Sequence, residues 1–266
     1  MDKKYQIISA LVFSAFMLMF SGCSQYQKLL KSADNELKYN KAIEYFNKGK
    51  YYKSLELFTQ IQPFFRGTEK AEDVAYYISQ NYYKQKDYIM AGYYFKMFSN
   101  SYIDSPRAEE AAFLSCYCSY LDSPKSTLDQ KLTLDAISSL EYFKVRYPES
   151  EYTDQCNKLL YELRSKLEKK ELDIANFYYK IYDYRAAIIS YNNILKDYPE
   201  TRYKEEILYY ILSSQVAYAK NSVDDKKYER FTDAANTYEN LKEGFPSGKY
   251  TQKAEAFREI IYSNLK

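Results

Sequence analysis

The chain has 266 residues, with 38 Lys and Arg against 36 Asp and Glu and no His. A net charge of +2 gives no clustered basic surface of the kind nucleic acid requires. The lack of His removes imidazole acid–base chemistry and His-ligated zinc, iron and copper sites. Six Gly occur, none spaced to cradle a phosphate, while Tyr appears 34 times and Trp never. A Gly-poor, charged, aromatic-rich chain predicts an all-α fold.

Residues 1–22 have the form of an export signal rather than of a folded element. Lys3 and Lys4 precede an apolar run over 7–20, too short for a comfortable membrane span. The run ends Phe20-Ser21-Gly22-Cys23, which resembles the lipobox of bacterial lipoproteins. The resemblance implies cleavage before Cys23, a lipid on its thiol and a lipidated tether over residues 23–34. An uncleaved anchor helix is the alternative. Ser24, by the same resemblance, favours the outer membrane. Gln25-Tyr26-Gln27-Lys28 carries no acidic run for surface export, so the expected position is the periplasmic face. One acyl chain binds marginally and two or three hold firmly.

Beyond the tether one stripe recurs. A small residue is followed four on by a ring or Leu, three on by an apolar residue, and four on by an aromatic. The copies are Ser54/Phe58/Ile61/Phe65, Ala91/Phe95/Phe98/Tyr102, Ala136/Leu140/Phe143/Tyr147, Ala187/Tyr191/Ile194/Tyr198 and Ala234/Tyr238/Leu241/Phe245. These offsets lie on one face of an α-helix. Pro148, Pro199 and Pro246 follow the last three directly, where they cannot continue a helix. Turns Lys48-Gly49-Lys50, Gln85-Lys86-Asp87 and Ile181-Tyr182-Asp183 precede three of the stripes, each behind an earlier aromatic helix.

The pattern resembles the tetratricopeptide repeat, a helix-turn-helix unit of about 34 residues. It predicts an α-solenoid of about five repeats. Start-to-start spacings of 37, 45, 51 and 47 exceed that period, with inserted loops expected at 123–126 and 221–227. Such units must stack to bury both faces, leaving a concave face lined by the first helix of each. Most of the rings belong to the core. Repeat register nonetheless places Tyr39, Ile43, Phe46, Tyr76, Gln80 and Tyr83 on the concave face, as a candidate peptide-binding surface.

Cys116, Cys118 and Cys156 read as small buried apolar residues, with a Cys116–Cys156 bridge as the alternative. No catalytic residues are expected, since a Ser or Cys nucleophile would lack a His base. No cofactor is expected either. A thiol-only metal site would need two ligands at i and i+2, a poor geometry.

The stretch from Arg146 to Thr201 is the most specific. It holds Arg146-Tyr147-Pro148-Glu149-Ser150, the charged run Lys166-Leu167-Glu168-Lys169-Lys170-Glu171 and Leu195-Lys196-Asp197-Tyr198-Pro199-Glu200-Thr201. It is similar to the BamD family, lipoprotein subunits of the outer-membrane β-barrel assembly machinery. The resemblance implies N-terminal repeats (35–145) that receive unfolded barrel precursors. It also implies C-terminal repeats (146–266) that dock to the BamA subunit. The second unit departs from the family by ending Ser101-Tyr102-Ile103-Asp104-Ser105-Pro106 without Tyr-Pro. Another tetratricopeptide lipoprotein, serving cell-wall or glycan-uptake complexes, is the alternative.

Overall fold

The computed structural model describes residues 25–266; the signal segment and Cys23 lie outside the described residues. A short helix over 25–30 precedes eleven longer ones: α1 (Asn35–Asn47), α2 (Tyr51–Phe65), α3 (Lys70–Lys84), α4 (Tyr88–Ser101), α5 (Ala108–Asp122), α6 (Lys131–Arg146), α7 (Thr153–Lys180), α8 (Tyr184–Asp197), α9 (Lys204–Lys220), α10 (Asp224–Gly244) and α11 (Lys249–Ser263). No strand occurs among the described residues. The fold is the all-α solenoid of five helix-turn-helix pairs, with α11 packed against the last of them. The chain divides into two compact units. Among the described residues the first comprises 25–123 and 131–159, and the second comprises 124–130 and 160–266.

The small residues of the stripe lie in the core. Ser54, Ala91, Ala136, Ala187 and Ala234 are each 0% exposed. The ring or Leu four on is equally covered, from Phe58 to Tyr238. Where that ring is a tyrosine, its hydroxyl is satisfied. Tyr191 donates to Asn176 Oδ1 at 2.6 Å and Tyr238 to Glu255 Oε1 at 2.8 Å. A buried hydroxyl without a partner would cost about 1–3 kcal/mol.

The hairpin turns share one backbone solution. Gly49, Lys86 and Tyr182 have φ of 69°, 63° and 65°, each two residues before the second helix. The next amide reaches back five residues, as Lys50 to Tyr45, Asp87 to Tyr82 and Asp183 to Tyr178. This closes a Schellman motif. Asp87 and Asp183 then cap α4 and α8, accepting from the Met90 and Ala186 amides at 3.1 Å. One left-handed residue followed by an Asp thus reverses the chain in both repeats.

A second recurrence joins repeat to repeat. After each of the last four stripes stands Ser105, Ser150, Thr201 or Gly248. Ser105 donates to Glu72 at 2.6 Å, Ser150 to Glu109 at 2.5 Å and Thr201 to Glu168. Each acceptor lies on the first helix of the preceding pair. The same hydroxyls accept the amide two residues on, those of Arg107, Tyr152 and Tyr203. At Gly248 the carboxylate of Glu205 does both jobs, accepting the amides of Tyr250 at 2.6 Å and Thr251 at 3.1 Å. A Cβ on Gly248 would sit 2.1 Å from Glu205 Oε1, so with the carboxylate in this place only glycine fits.

The long spacings resolve unequally. Residues 124–130 form an inserted loop, held through Lys170 Nζ to the Leu128 carbonyl at 2.8 Å and Gln130 Nε2 to the Lys125 carbonyl at 2.8 Å. The loop expected at 221–227 is instead mostly helix, because α10 starts at Asp224. Asp224 and Asp225 favour a helix N-terminus, and Lys227 pairs with Asp224 at 2.7 Å. Most of the remaining excess is taken up by α7, which is 28 residues long. Its Glu168, not its start, matches Glu72 of α3.

Gly248→Ala should lower stability by about 1–2 kcal/mol, since the carboxylate must release two amides. Tyr182→Gly should raise it by about 0.5 kcal/mol, relieving a left-handed side chain. Urea midpoints at unchanged slope read both.

Candidate peptide-binding face

In the first unit, α1, α3 and α5 carry three rows of side chains in one register, each recurring 37 residues on. The rows are Tyr39/Tyr76/Phe113, Ile43/Gln80/Tyr117 and Phe46/Tyr83/Tyr120. The period follows from the repeats, and the helical spacing of four and three residues puts the rows on one face.

The first row builds the repeat junctions. Tyr39 is 7% exposed, its ring 6.1 Å from Phe58 and 5.7 Å from Phe65. Its hydroxyl donates to Asp73 Oδ2 at 3.1 Å on the next first helix. Lys70 Nζ covers the ring at 4.7 Å and pairs with Glu36. One repeat later the same set returns. Tyr76 donates to Glu110 Oε2 at 2.9 Å, and the Arg107 guanidinium lies 4.9 Å above its ring. In the third repeat both partners become rings, with Phe113 stacked on Tyr152 at 4.4 Å. Arg107 also donates to Asp73 at 2.8 Å, so Asp73 receives a tyrosine and a guanidinium at once.

Of the six residues expected on this face, the structure therefore places Tyr39 almost wholly in the core, where it offers little area to a ligand. Tyr76 is half-buried, and its hydroxyl accepts from Gln80 Nε2 at 2.9 Å. Ile43 packs partly against the first core cluster. Phe46 meets Tyr51 and Tyr77 at 5.4 and 5.1 Å. Tyr83 rests on Tyr88 and Phe95 at 6.1 and 6.2 Å. Ile43, Phe46, Gln80 and Tyr83 are all half-buried: fixed on one side and uncovered on the other.

Two residues of the face escaped the sequence reading. Tyr117 stacks on Phe113 at 6.0 Å and Tyr120 on Tyr117 at 5.8 Å, and both are half-buried. The signal was present, since adding the repeat period to Gln80 and Tyr83 reaches them. The face is thus a platform of rings with locked rotamers. It suits side-chain burial, with each covered ring contributing about 1.5–3 kcal/mol, and no pair of groups on it is arranged for proton transfer.

The opposite side of the unit differs. A cavity of about 370 Å³ opens between α4 and α6 over α5, lined by Lys96, Asn100, Cys116, Ser139, Tyr142 and Arg146. Its lining mixes polar side chains with a larger share of apolar surface. Cys116, Cys118 and Cys156 are free and buried, and burial pushes the Cys116 and Cys118 thiols up to about 12. Among the described residues no group of His, Cys, Asp or Glu could hold a metal ion. None of the described helices is long and apolar enough to cross a membrane.

Residues 31–230 match the YfiO family, described as outer membrane lipoprotein. A protein of Aquifex aeolicus (strain VF5), provisionally named outer membrane protein assembly factor BamD, is 27% identical over 244 residues, covering 88% of this chain and 77% of that protein. Outer membrane protein assembly factor BamD of Buchnera aphidicola subsp. Acyrthosiphon pisum (strain APS) is 23% identical over 222 residues, covering 79% and 90%. Both names denote assembly factors, not enzymes.

Burial, then Asp73 and Glu110, raise the Tyr39 and Tyr76 hydroxyls from 10.0 to about 12. A raised pKa means the folded state holds the proton more tightly, so stability is full below pH 10 and falls as pH rises toward 12. Urea midpoints should decline across that window. Tyr39→Phe/Tyr76→Phe should start lower at pH 8 and decline less steeply.

Proposed function

The chain belongs to the BamD (YfiO) family of outer membrane lipoproteins, and from that premise we propose that it serves β-barrel assembly without catalysis. In this reading it is anchored by lipid on Cys23 at the periplasmic face of the outer membrane. The N-terminal repeats (35–145) receive unfolded barrel precursors. The C-terminal repeats (146–266) dock to BamA.

One observation carries the receiving role: the three-row face continues in register across α1, α3 and α5. A barrel precursor exposes unpaired strands with apolar residues on alternate positions. Such a segment needs side-chain cover more than backbone chemistry. Rigid tyrosines supply contact area at low entropy cost, and the cross-repeat bond of Tyr76 to Glu110, with Gln80 donating to the same hydroxyl, fixes the platform beforehand. Holding calls for only micromolar affinity, about −8 kcal/mol, so release stays fast. The names of the relatives favour this reading over a cell-wall or glycan-uptake role.

Photo-crosslinkers at Tyr83 and Tyr117 should capture the last strand of a barrel precursor, whereas one at Tyr142, beside the cavity on the other side, should not. Capture from Tyr142 alone would overturn the assignment of the face. Affinity purification from detergent-solubilised outer membranes should bring down BamA; an uptake transporter in its place would favour the alternative.

A further inference from the structure

The segment next to the lipidation site is part of the folded body. Residues 25–30 are helical, and Tyr26 is 7% exposed. Its hydroxyl donates to Glu56 Oε2 at 2.6 Å and reaches the Lys53 carbonyl at 3.2 Å. Its ring meets Tyr45 edge-on at 5.6 Å, with Lys53 Nζ 4.6 Å above it. Leu29 and Leu30 pack on the same cluster. Three residues of chain at about 3.6 Å each reach about 11 Å. A lipid carried three residues before Tyr26 would hold Tyr26 within about that distance of the headgroups.

The surface around Tyr26 is basic. Helical spacing puts Tyr26, Leu29 and Leu30 on the inner side and Lys28 and Lys31 on the outer, and both lysines are exposed. Lys50 is also exposed, and Tyr52 beside it is 74% exposed. The neighbouring carboxylates are engaged. Glu56 holds Tyr26, Glu44 pairs with Lys41 and Lys48 at 2.6 Å, Glu36 pairs with Lys70, and Asp34 caps α1. None of Lys28, Lys31, Lys50 and Lys53 forms an ion pair with a described residue.

We propose that this face, formed by Lys28, Lys31, Lys50 and Tyr52 around the 25–30 helix, lies against anionic phospholipid headgroups and fixes the orientation of the first unit on the membrane. The inference rests on the proposed acylation of Cys23, which brings the headgroups within reach. A lysine near an anionic surface contributes about 1 kcal/mol, a factor of about five in the docked population. An exposed tyrosine is at home at the headgroup level. The lipid chains supply retention, and the lysines supply direction.

The chain has no Trp, so Tyr52→Trp gives a single reporter. The mature full-length protein is placed in vesicles of phosphatidylethanolamine with phosphatidylglycerol, or of phosphatidylcholine alone, each carrying lipid brominated near the headgroup. Quenching should be strong in the anionic vesicles, weaken at high salt and be weak in the neutral ones. Lys28→Glu/Lys31→Glu should reduce the docked-to-free ratio by at least about 25-fold, from the factor of five per lysine. Both side chains point away from the core, so the reversal leaves folding intact, checked by an unchanged urea midpoint. Equal quenching in both vesicles, or quenching unaffected by charge reversal, would overturn the proposal. Intact mass of the same sample reads the acyl group separately. An unmodified mass removes the anchor, while quenching still judges the lysine face.

Discussion

A carboxylate on one first helix, held by the residue that starts the next repeat, is the contact on which the architecture rests. Glu72, Glu109, Glu168 and Glu205 each occupy this place. Hairpins of this kind bury only one side of themselves, and without a directional bond a neighbour could slide or rotate along the apolar stripe. Hydrophobic burial supplies most of the cohesion, but it is non-directional. A charge-assisted hydrogen bond has a fixed length and angle. It sets which residue of one repeat faces which residue of the next.

The aromatic face inherits its order from that register. Because Glu72 holds Ser105, the chain places Arg107 over Tyr76 two residues later. Because Ser150 is held by Glu109, Tyr152 stacks on Phe113. The partner above the ring varies, from Lys70 through Arg107 to the rings of Tyr152 and Tyr250. The Tyr250 ring lies 5.4 Å from Tyr209, in the place Arg107 takes at Tyr76. Position is kept while chemistry changes, as expected when the backbone junction rather than the ring contact sets the geometry. Tyrosines at the junctions then do two things, filling space with the ring and bridging repeats with the hydroxyl.

Much of this was legible in the residues. The small-residue, ring and apolar stripe located every second helix, and all fifteen of its first three positions are buried at 2% exposure or less. The turn sequences located three hairpin reversals, though not that Lys86 and Tyr182 take the left-handed conformation there. What escaped has physical reasons. Glu72 and Glu168 look like any surface carboxylate, because their partners lie 33 residues away. The run Lys166 to Glu171 therefore reads as solvated charge although Glu168 and Lys170 both hold backbone-ordering contacts. The acidic start of α10 was read as a loop, although two aspartates at a helix N-terminus stabilise it. The 25–30 helix is too short for periodicity to reveal, and a single buried ring, Tyr26, fixes it. Tyr39 was placed on the ligand face by register, and register does not say how deep a ring sits.

The directional junction is tested most directly by a double-mutant cycle between Glu72 and Ser105, using Glu72→Gln and Ser105→Ala and unfolding in urea. The two groups should couple by about 1–2 kcal/mol, the range for a hydrogen bond to a charged partner. The double variant should then lose less than the sum of the two single losses. Strict additivity would mean that the hydroxyl and the carboxylate do not stabilise one another, and that packing alone orders the repeats.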